Sequence, residues 1–376
     1  MKIGYAYTEF GRSRGIARYA AALAEGAASR RHEVHFHCTH RAQPVPDSIC
    51  FHHISVPRFP HALELATFAI RAQSALRASS YDLVHTHGDI PYGDIVTAQS
   101  CHRAGIIARQ RVAAGHSRER NFGFADRVRL AIERRLYAGD QSRQVIAVSL
   151  GVKRELAEHY GVAASRCTVI PNGVDVNAFH PMRRATDGAT VRRRLGIPAE
   201  AIVLILTANE FERKGLPVLL DALGMLGSLR PWLLVAGEGD PSPYREELSS
   251  NALNGRVVFT GSVDDIGSLY AASDVFVMPT YYEAFSLATL EAAASGLPLV
   301  VTRVNGTEDL VRENENGLFI EREADSVAAA LRNLLGDQER IQQLGHRAHI
   351  SAQAYAWPVI IDRVMELYRV HRGGGR

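Results

Sequence analysis

Short apolar runs alternate with longer stretches of helical periodicity through the first half of the chain. Residues 3–7, 33–38 and 83–87 read as strands, and 16–27 and 63–75 as the helices between them. Such alternation marks βαβ units, which build a parallel sheet. Residues 145–148 read as the last interior strand of this half, and 150–159 as the helix after it. The stretch 169–175 predicts a strand running into a turn, with Asn172-Gly173 supplying positive φ angles.

A polar, arginine-rich stretch over 180–194 interrupts the pattern and offers no apolar periodicity for a core. The alternation then restarts, with strands expected at 201–207, 232–236, 257–259, 275–278 and 299–301 and a helix at 216–226. This predicts a first Rossmann-like domain over 1–180, a linker over 181–197, and a second such domain over 198–354. A C-terminal helix over 355–376 is expected to pack back toward the first domain. Open parallel α/β sheets bind ligands at the carboxyl ends of their strands, so the expected site is a cleft where two doubly wound sheets face one another.

Composition narrows the class. Of the 376 residues, 46% are hydrophobic and 22% charged, which excludes a disordered chain, a collagen-like repeat or a membrane bundle. The apolar run 201–206 is far shorter than the roughly 20 residues of a spanning helix. The N-terminus reads as a strand rather than a secretion signal, so a cytoplasmic protein is expected. Four cysteines without close pairing predict reduced thiols, and no Asp-x-Asp or His/Cys cluster predicts a metal site. Lysine occurs only at positions 2, 153 and 214, and the net charge is +3. With no recognisable binding module, that balance speaks against nucleic acid.

One segment is locally basic: residues 103–143 hold ten arginines against four acids, with apolar side chains interleaved. Docking on anionic lipid, at about 1 kcal/mol per basic residue, and a solvated arginine face over an ordinary core are both open from this pattern.

Two patterns carry chemistry. In residues 279–296, Glu283 falls in the loop after an expected strand and Glu291 on the buried stripe of the helix that follows. A carboxylate there is costly unless paired. In residues 209–215, Arg213 and Lys214 stand at the mouth of a strand, where they suit a diphosphate, although a solvated basic turn is the plain alternative.

Two glutamates separated by seven residues in a strand–loop–helix context resemble the signature of the family-4 glycosyltransferases, and the resemblance covers nearly the whole chain. Supporting matches are Ile170–Asp175 with Phe179 and Pro181, Gly237-Glu238-Gly239, and Phe259–Val263. The family implies the GT-B architecture, two Rossmann-like domains facing across a cleft, and a retaining transfer of a hexose-type sugar from a nucleotide diphosphate sugar, UDP favoured. By this resemblance Glu291 accepts from the ribose diol and Glu283 contacts the transferred sugar. Ala284, Phe285, Ser286 and Leu287 hold the diphosphate at a helix start, Gly261, Ser262 and Val263 lie along the base, and Gly15 approaches the diphosphate from the first domain. Arg213 and Lys214 are implied to stabilise the departing diphosphate, with Glu283 in the catalytic set. Arg213-Lys214-Gly215 is similar to the lipopolysaccharide-core glucosyltransferases, which act in cell-envelope polysaccharide biosynthesis.

The chain departs from the family pattern at several positions. Ser286 stands where glycine is usual, Ala208-Asn209 where Gly-Arg is common, and Arg14-Gly15 where many relatives have two glycines. On the acceptor side the candidates are Arg14, His87, Asp89, Gln99 and His102. Gln99 aligns with a family histidine near the anomeric carbon, His102 follows three residues later, and both remain candidates to face the sugar. The implied mechanism needs neither metal, cofactor nor carboxylate nucleophile, because the leaving phosphate helps deprotonate the incoming hydroxyl. The expected partners are a nucleotide-sugar donor, a glycan, lipid-linked or small-molecule hydroxyl acceptor, and an anionic membrane surface met peripherally through 103–143. The alternatives are a non-catalytic nucleotide-sugar-binding subunit and a phosphorylase or epimerase of the same fold.

Overall fold

The computed structural model describes the chain except for residues 12–14, 58, 114–122, 140–142, 250–252, 254 and 374–376. It divides into two compact units, Met1–Gly173 together with Trp357–Arg376, and Val174–Ala356.

The first unit is built on seven parallel strands, β1 (Lys2–Ala6), β2 (Glu33–Cys38), β3 (Ile49–His53), β4 (Leu83–Thr86), β5 (Ile95–Ala98), β6 (Gln144–Ala147) and β7 (Cys167–Val169). Their order is β3-β2-β1-β4-β5-β6-β7, with Ile3 opposite Val34 on one side and Leu83 on the other. This is the doubly wound order, whose direction reverses between β1 and β4. Near-continuous apolar strands with both faces covered are what such a sheet requires. Tyr5, Phe36, Phe10, Tyr19 and Leu23 form the centre of the core.

The C-terminal helix Trp357–Gly373 completes this unit. Its Ile360, Val364, Met365 and Tyr368 are buried in the same core. Tyr368 Oη lies 3.0 Å from Tyr5 Oη and 2.5 Å from His85 Nδ1, while His85 Nε2 lies 2.7 Å from Thr97 Oγ1. Burial holds His85 well below its ordinary pKa, so the network is a neutral one.

The second unit repeats the plan with six strands: β8 (Val203–Thr207), β9 (Trp232–Ala236), β10 (Val257–Gly261), β11 (Val275–Met278), β12 (Leu299–Thr302) and β13 (Gly317–Ile320). The order β10-β9-β8-β11-β12-β13 is again the doubly wound one, reversing between β8 and β11.

Two local expectations need correcting. Neither Asn172 nor Gly173 has a positive φ. Asn172 is buried, and the glycine is needed instead because a Cβ at 173 would stand 2.4 Å from the Trp357 ring. The stretch 181–197, expected as a linker, lies within the second unit, with Pro181–Arg184 a 3-10 turn and Asp187–Arg194 an α-helix. The pattern concealed this because the segment is held by ion pairs rather than by an apolar stripe. Arg192 donates to Asp274 Oδ2 at 2.8 Å and to the carbonyls of Ala272, Ala199 and Ala201, and Arg184 pairs with the same carboxylate. Asp274 also accepts from the Val203 amide at 2.7 Å, tying the helix to the first strand of the sheet.

Removing one partner from a buried, hydrogen-bonded ion pair strands the others away from water. Asp274→Ala is therefore expected to cost about 3–5 kcal/mol in urea unfolding followed by far-ultraviolet dichroism. A loss under about 1 kcal/mol, the scale of exposed pairs, would show that the arginines are satisfied by solvent.

Candidate functional site

In the second unit the loops leaving β8 and β11 meet at the point where the strand order reverses. After β8, Phe211–Lys214 forms a single helical turn that ends at Gly215, with φ +84°. A Cβ at 215 would lie 2.1 Å from the Pro279 carbonyl oxygen, so only glycine lets the β8 loop pass this close to the β11 loop. That approach sets Arg213 and Lys214 beside Glu283. Arg213 Nη1 donates to Glu283 Oε1 at 2.7 Å and to the Tyr282 carbonyl at 2.9 Å, and Lys214 Nζ reaches the same carboxylate oxygen at 2.5 Å. Thr280 Oγ1, 3.1 Å from the Arg213 carbonyl, links the two loops a second time.

The electrostatics follow from burial. Glu283 and Lys214 are each 8% exposed. Burial pushes the Glu283 carboxyl up, but Lys214 and Arg213 outweigh it and hold the group below its ordinary value. At Lys214 burial dominates and lowers the ammonium, with Glu283 opposing and Arg213 reinforcing the shift. The two cations thus stabilise the carboxylate, and the carboxylate in turn offsets part of the cost of burying Lys214.

The helix Leu287–Ala294 begins next to this triad, with Ser286 at its N-cap accepting from the Thr289 amide at 3.2 Å and from Thr289 Oγ1 at 2.8 Å. The serine that replaces the usual glycine therefore turns its hydroxyl into its own helix. The first amides of a helix have no partner inside it and favour an anion; here they belong to Ser286, Leu287 and Ala288, the Thr289 amide being taken by the Ser286 hydroxyl, and Phe285 stands just before the cap. Ala284 precedes it. Glu291, 6% exposed, lies one helical turn further in, with Tyr270 Oη donating to it at 3.4 Å. Gly261, Ser262 and Val263 leave β10, two strands from β8 in the sheet order. Asn209, a departure from the family pattern, tethers the β8 loop to the β9 loop by accepting from the Glu238 amide at 3.1 Å.

In the first unit Gly15 opens the helix Gly15–Ser29, and Arg14 lies outside the described residues. Tyr7, His87 and Gln99 each follow the last residue of a strand, β1, β4 and β5 respectively, around the reversal point. The His87 ring stands edge-on to Tyr7 and Tyr19, with centroids 6.3 and 5.7 Å away, and burial pushes its pKa down to about 3. Asp89 follows it, its carboxyl raised by burial against the opposing charges of Arg129 and His61. His102 is engaged elsewhere, its Nε2 lying 2.9 Å from Asp126 Oδ1 and its amide donating to Glu133 at 2.6 Å. The sequence reading missed Glu133 and Asp126 as anchors of this junction, and acids within an arginine-rich helix gave no signal of turning inward. No group of three or more metal-ligating side chains occurs among the described residues.

Comparison with known proteins gives two family matches: residues 13–178 match the Glycosyltransferase Family 4 model, and residues 201–337 match Glycosyl transferases group 1. A D-inositol 3-phosphate glycosyltransferase of Thermomonospora curvata is 28% identical over 335 residues, covering 81% of this chain and 76% of that protein. Among solved structures, WaaG, a glycosyltransferase involved in lipopolysaccharide biosynthesis, superposes with a TM-score of 0.82 at 20% identity, covering 97% of this chain and 99% of its own. Anabaena HepE in complex with UDP and glucose gives 0.73 at 19% identity, covering 98% and 100%. These structures share the GT-B fold with the present chain.

Because its pKa is lowered, Glu283 contributes stability that is complete above the ordinary glutamate value, about 4.3, and is lost as pH falls through its lowered one. Glu283→Gln is expected to destabilise the protein by about 3–5 kcal/mol at pH 7, with the gap to wild type closing at lower pH. Denaturant titrations from pH 3 to 7 check this, and a gap independent of pH would refute it.

Proposed function

Since this chain belongs to the family-4 branch of the group 1 glycosyltransferases, we propose that it moves a hexose-type sugar from a nucleotide diphosphate sugar, a UDP-sugar by preference, to a hydroxyl acceptor with retention of configuration. The observation that carries this reading is the Arg213–Glu283–Lys214 triad at the reversal point of the second sheet, beside the start of Leu287–Ala294.

The diphosphate takes the amides of Phe285, Ser286 and Leu287, and Glu291 accepts from the ribose diol at about 1.5–3 kcal/mol per charged hydrogen bond. Arg213 and Lys214 turn to the diphosphate as its charge grows, which releases Glu283 to the hydroxyls of the sugar. The leaving phosphate receives the proton of the incoming hydroxyl, so the reaction runs without metal or cofactor. Gly261, Ser262 and Val263 flank the base. The UDP preference is supported by HepE, which was solved with UDP and glucose. The first unit takes the acceptor, a glycan, lipid-linked or small-molecule alcohol, with His87, Asp89 and Gln99 at the relevant edge. No helix among the described residues is long and apolar enough to cross a membrane. Peripheral docking on the inner membrane face through the exposed arginines of 103–143, such as Arg127, Arg134 and Arg135, is part of the proposal.

Donor hydrolysis and thermal shift with UDP-, GDP- and ADP-sugars test the donor assignment. Glu291→Ala is expected to weaken donor binding tenfold or more, by about 1.5 kcal/mol. Lys214→Ala is expected to lower kcat by about 10²–10³-fold with a smaller change in KM. Activity that vanishes in chelator and returns with Mg²⁺, or normal donor binding by the Glu291→Ala variant, would sink this assignment.

A further inference from the structure

The two cations beside Glu283 sit on a very short piece of structure. Phe211–Lys214 is one helical turn, in which the Lys214 amide donates to the Glu210 carbonyl at 3.0 Å and the Gly215 amide to the Glu212 carbonyl at 3.2 Å. Forming one turn fixes several backbone angles for very few hydrogen bonds, so an isolated turn does not hold itself. What keeps this one in shape comes from its neighbours.

The β11 loop is the first of them, with Thr280 Oγ1 and the Tyr281 amide both donating to the Arg213 carbonyl, at 3.1 and 3.4 Å. The second reaches in from the edge of the sheet. Arg322 stands in the connector between β13 and the helix Ala324–Leu335, three strands from β8 in the sheet order. Its Nη2 donates to the Glu212 carbonyl at 2.9 Å, and its guanidinium carbon lies 5.3 Å from the centre of the Tyr281 ring. Its Nε is shielded from solvent without a hydrogen-bond partner among the described residues. The Glu212 carboxylate, 3.9 Å away and largely exposed, adds little. The guanidinium is therefore engaged through the ring face and the backbone carbonyl.

The carbonyls of Glu212 and Arg213 belong to the peptide planes immediately before and after Arg213. Tethering both planes fixes the direction in which the Arg213 side chain leaves the backbone, and constrains Lys214 next to it. In the resting protein the ion pairs to Glu283 help to hold the turn. Once the cations turn to a diphosphate those pairs are gone, and the tethers from Thr280, Tyr281 and Arg322 remain. We propose that Arg322 is a positioning residue, bracing the Phe211–Lys214 turn from the edge of the sheet so that Arg213 and Lys214 keep their direction as charge grows on the leaving group. This rests on the reading of those two cations as the groups that meet the diphosphate.

Hydrogen exchange and donor-hydrolysis kinetics of the full chain, wild type against Arg322→Gln and Arg322→Lys, test the brace. Arg322→Gln is expected to speed exchange at the Lys214 and Gly215 amides about tenfold, the scale of one charged hydrogen bond, while the amides of β8 and β11 exchange as in wild type. In hydrolysis of whichever of the UDP-, GDP- and ADP-sugars wild type accepts, kcat is expected to fall about tenfold with KM within about twofold, because the brace matters most after Glu283 has let go. Arg322→Lys keeps a cation for the ring and a donor for the carbonyl, and is expected to recover part of both losses. Exchange of the turn that stays unchanged, or that rises together with the strands, overturns the proposal. So does a kcat that Arg322→Gln leaves intact. A wild type that hydrolyses none of these donors sinks the donor assignment instead, and exchange of the turn then decides the brace alone.

Discussion

Everything in the second unit is arranged around one carboxylate that cannot stand alone. Glu283 is withdrawn from water and survives as an anion because two cations reach the same oxygen. Removing a charged group from water is expensive, and only close, well-directed partners offset it. The doubly wound strand order supplies the encounter, since reversal between β8 and β11 brings the loops of two neighbouring strands to one place, and Gly215 lets them touch. On the proposed reading, a diphosphate would compete with Glu283 for the same cations, which the resting ion pairs hold in position.

The first unit handles its polar groups in two contrasting ways. Toward the core, Tyr5, Tyr368, His85 and Thr97 form a closed chain of neutral hydrogen bonds. A satisfied network of this kind rigidifies and specifies a core. At the carboxyl edge, one residue beyond the strands, both ring nitrogens of His87 and Nε2 of Gln99 are buried without a hydrogen-bond partner among the described residues.

How much of this was readable in the chain depends on what held each part. The βαβ alternation and the Glu283–Glu291 spacing follow from periodicity and local turn chemistry, which a single sequence displays directly. The stretch 181–197 misled because Arg184 and Arg192 answer to Asp274, 90 and 82 residues away, and charge pairing at that distance leaves no periodic trace. Asn172-Gly173 misled for a related reason, the glycine answering to Trp357 rather than to a turn. Among the departures from the family pattern, Ser286 is an N-cap and Asn209 a tether between neighbouring loops.

The helix Trp357–Gly373 places residues from far down the chain inside the core that Met1–Gly173 begins. On the ribosome, the segment Val174–Ala356 is therefore a self-contained insertion that emerges whole while its host still lacks the apolar face given by Ile360, Val364 and Tyr368. Domains made during translation fold as units, so the inserted one matures first. The unit begun earliest waits with an open hydrophobic groove until its closing helix is synthesised.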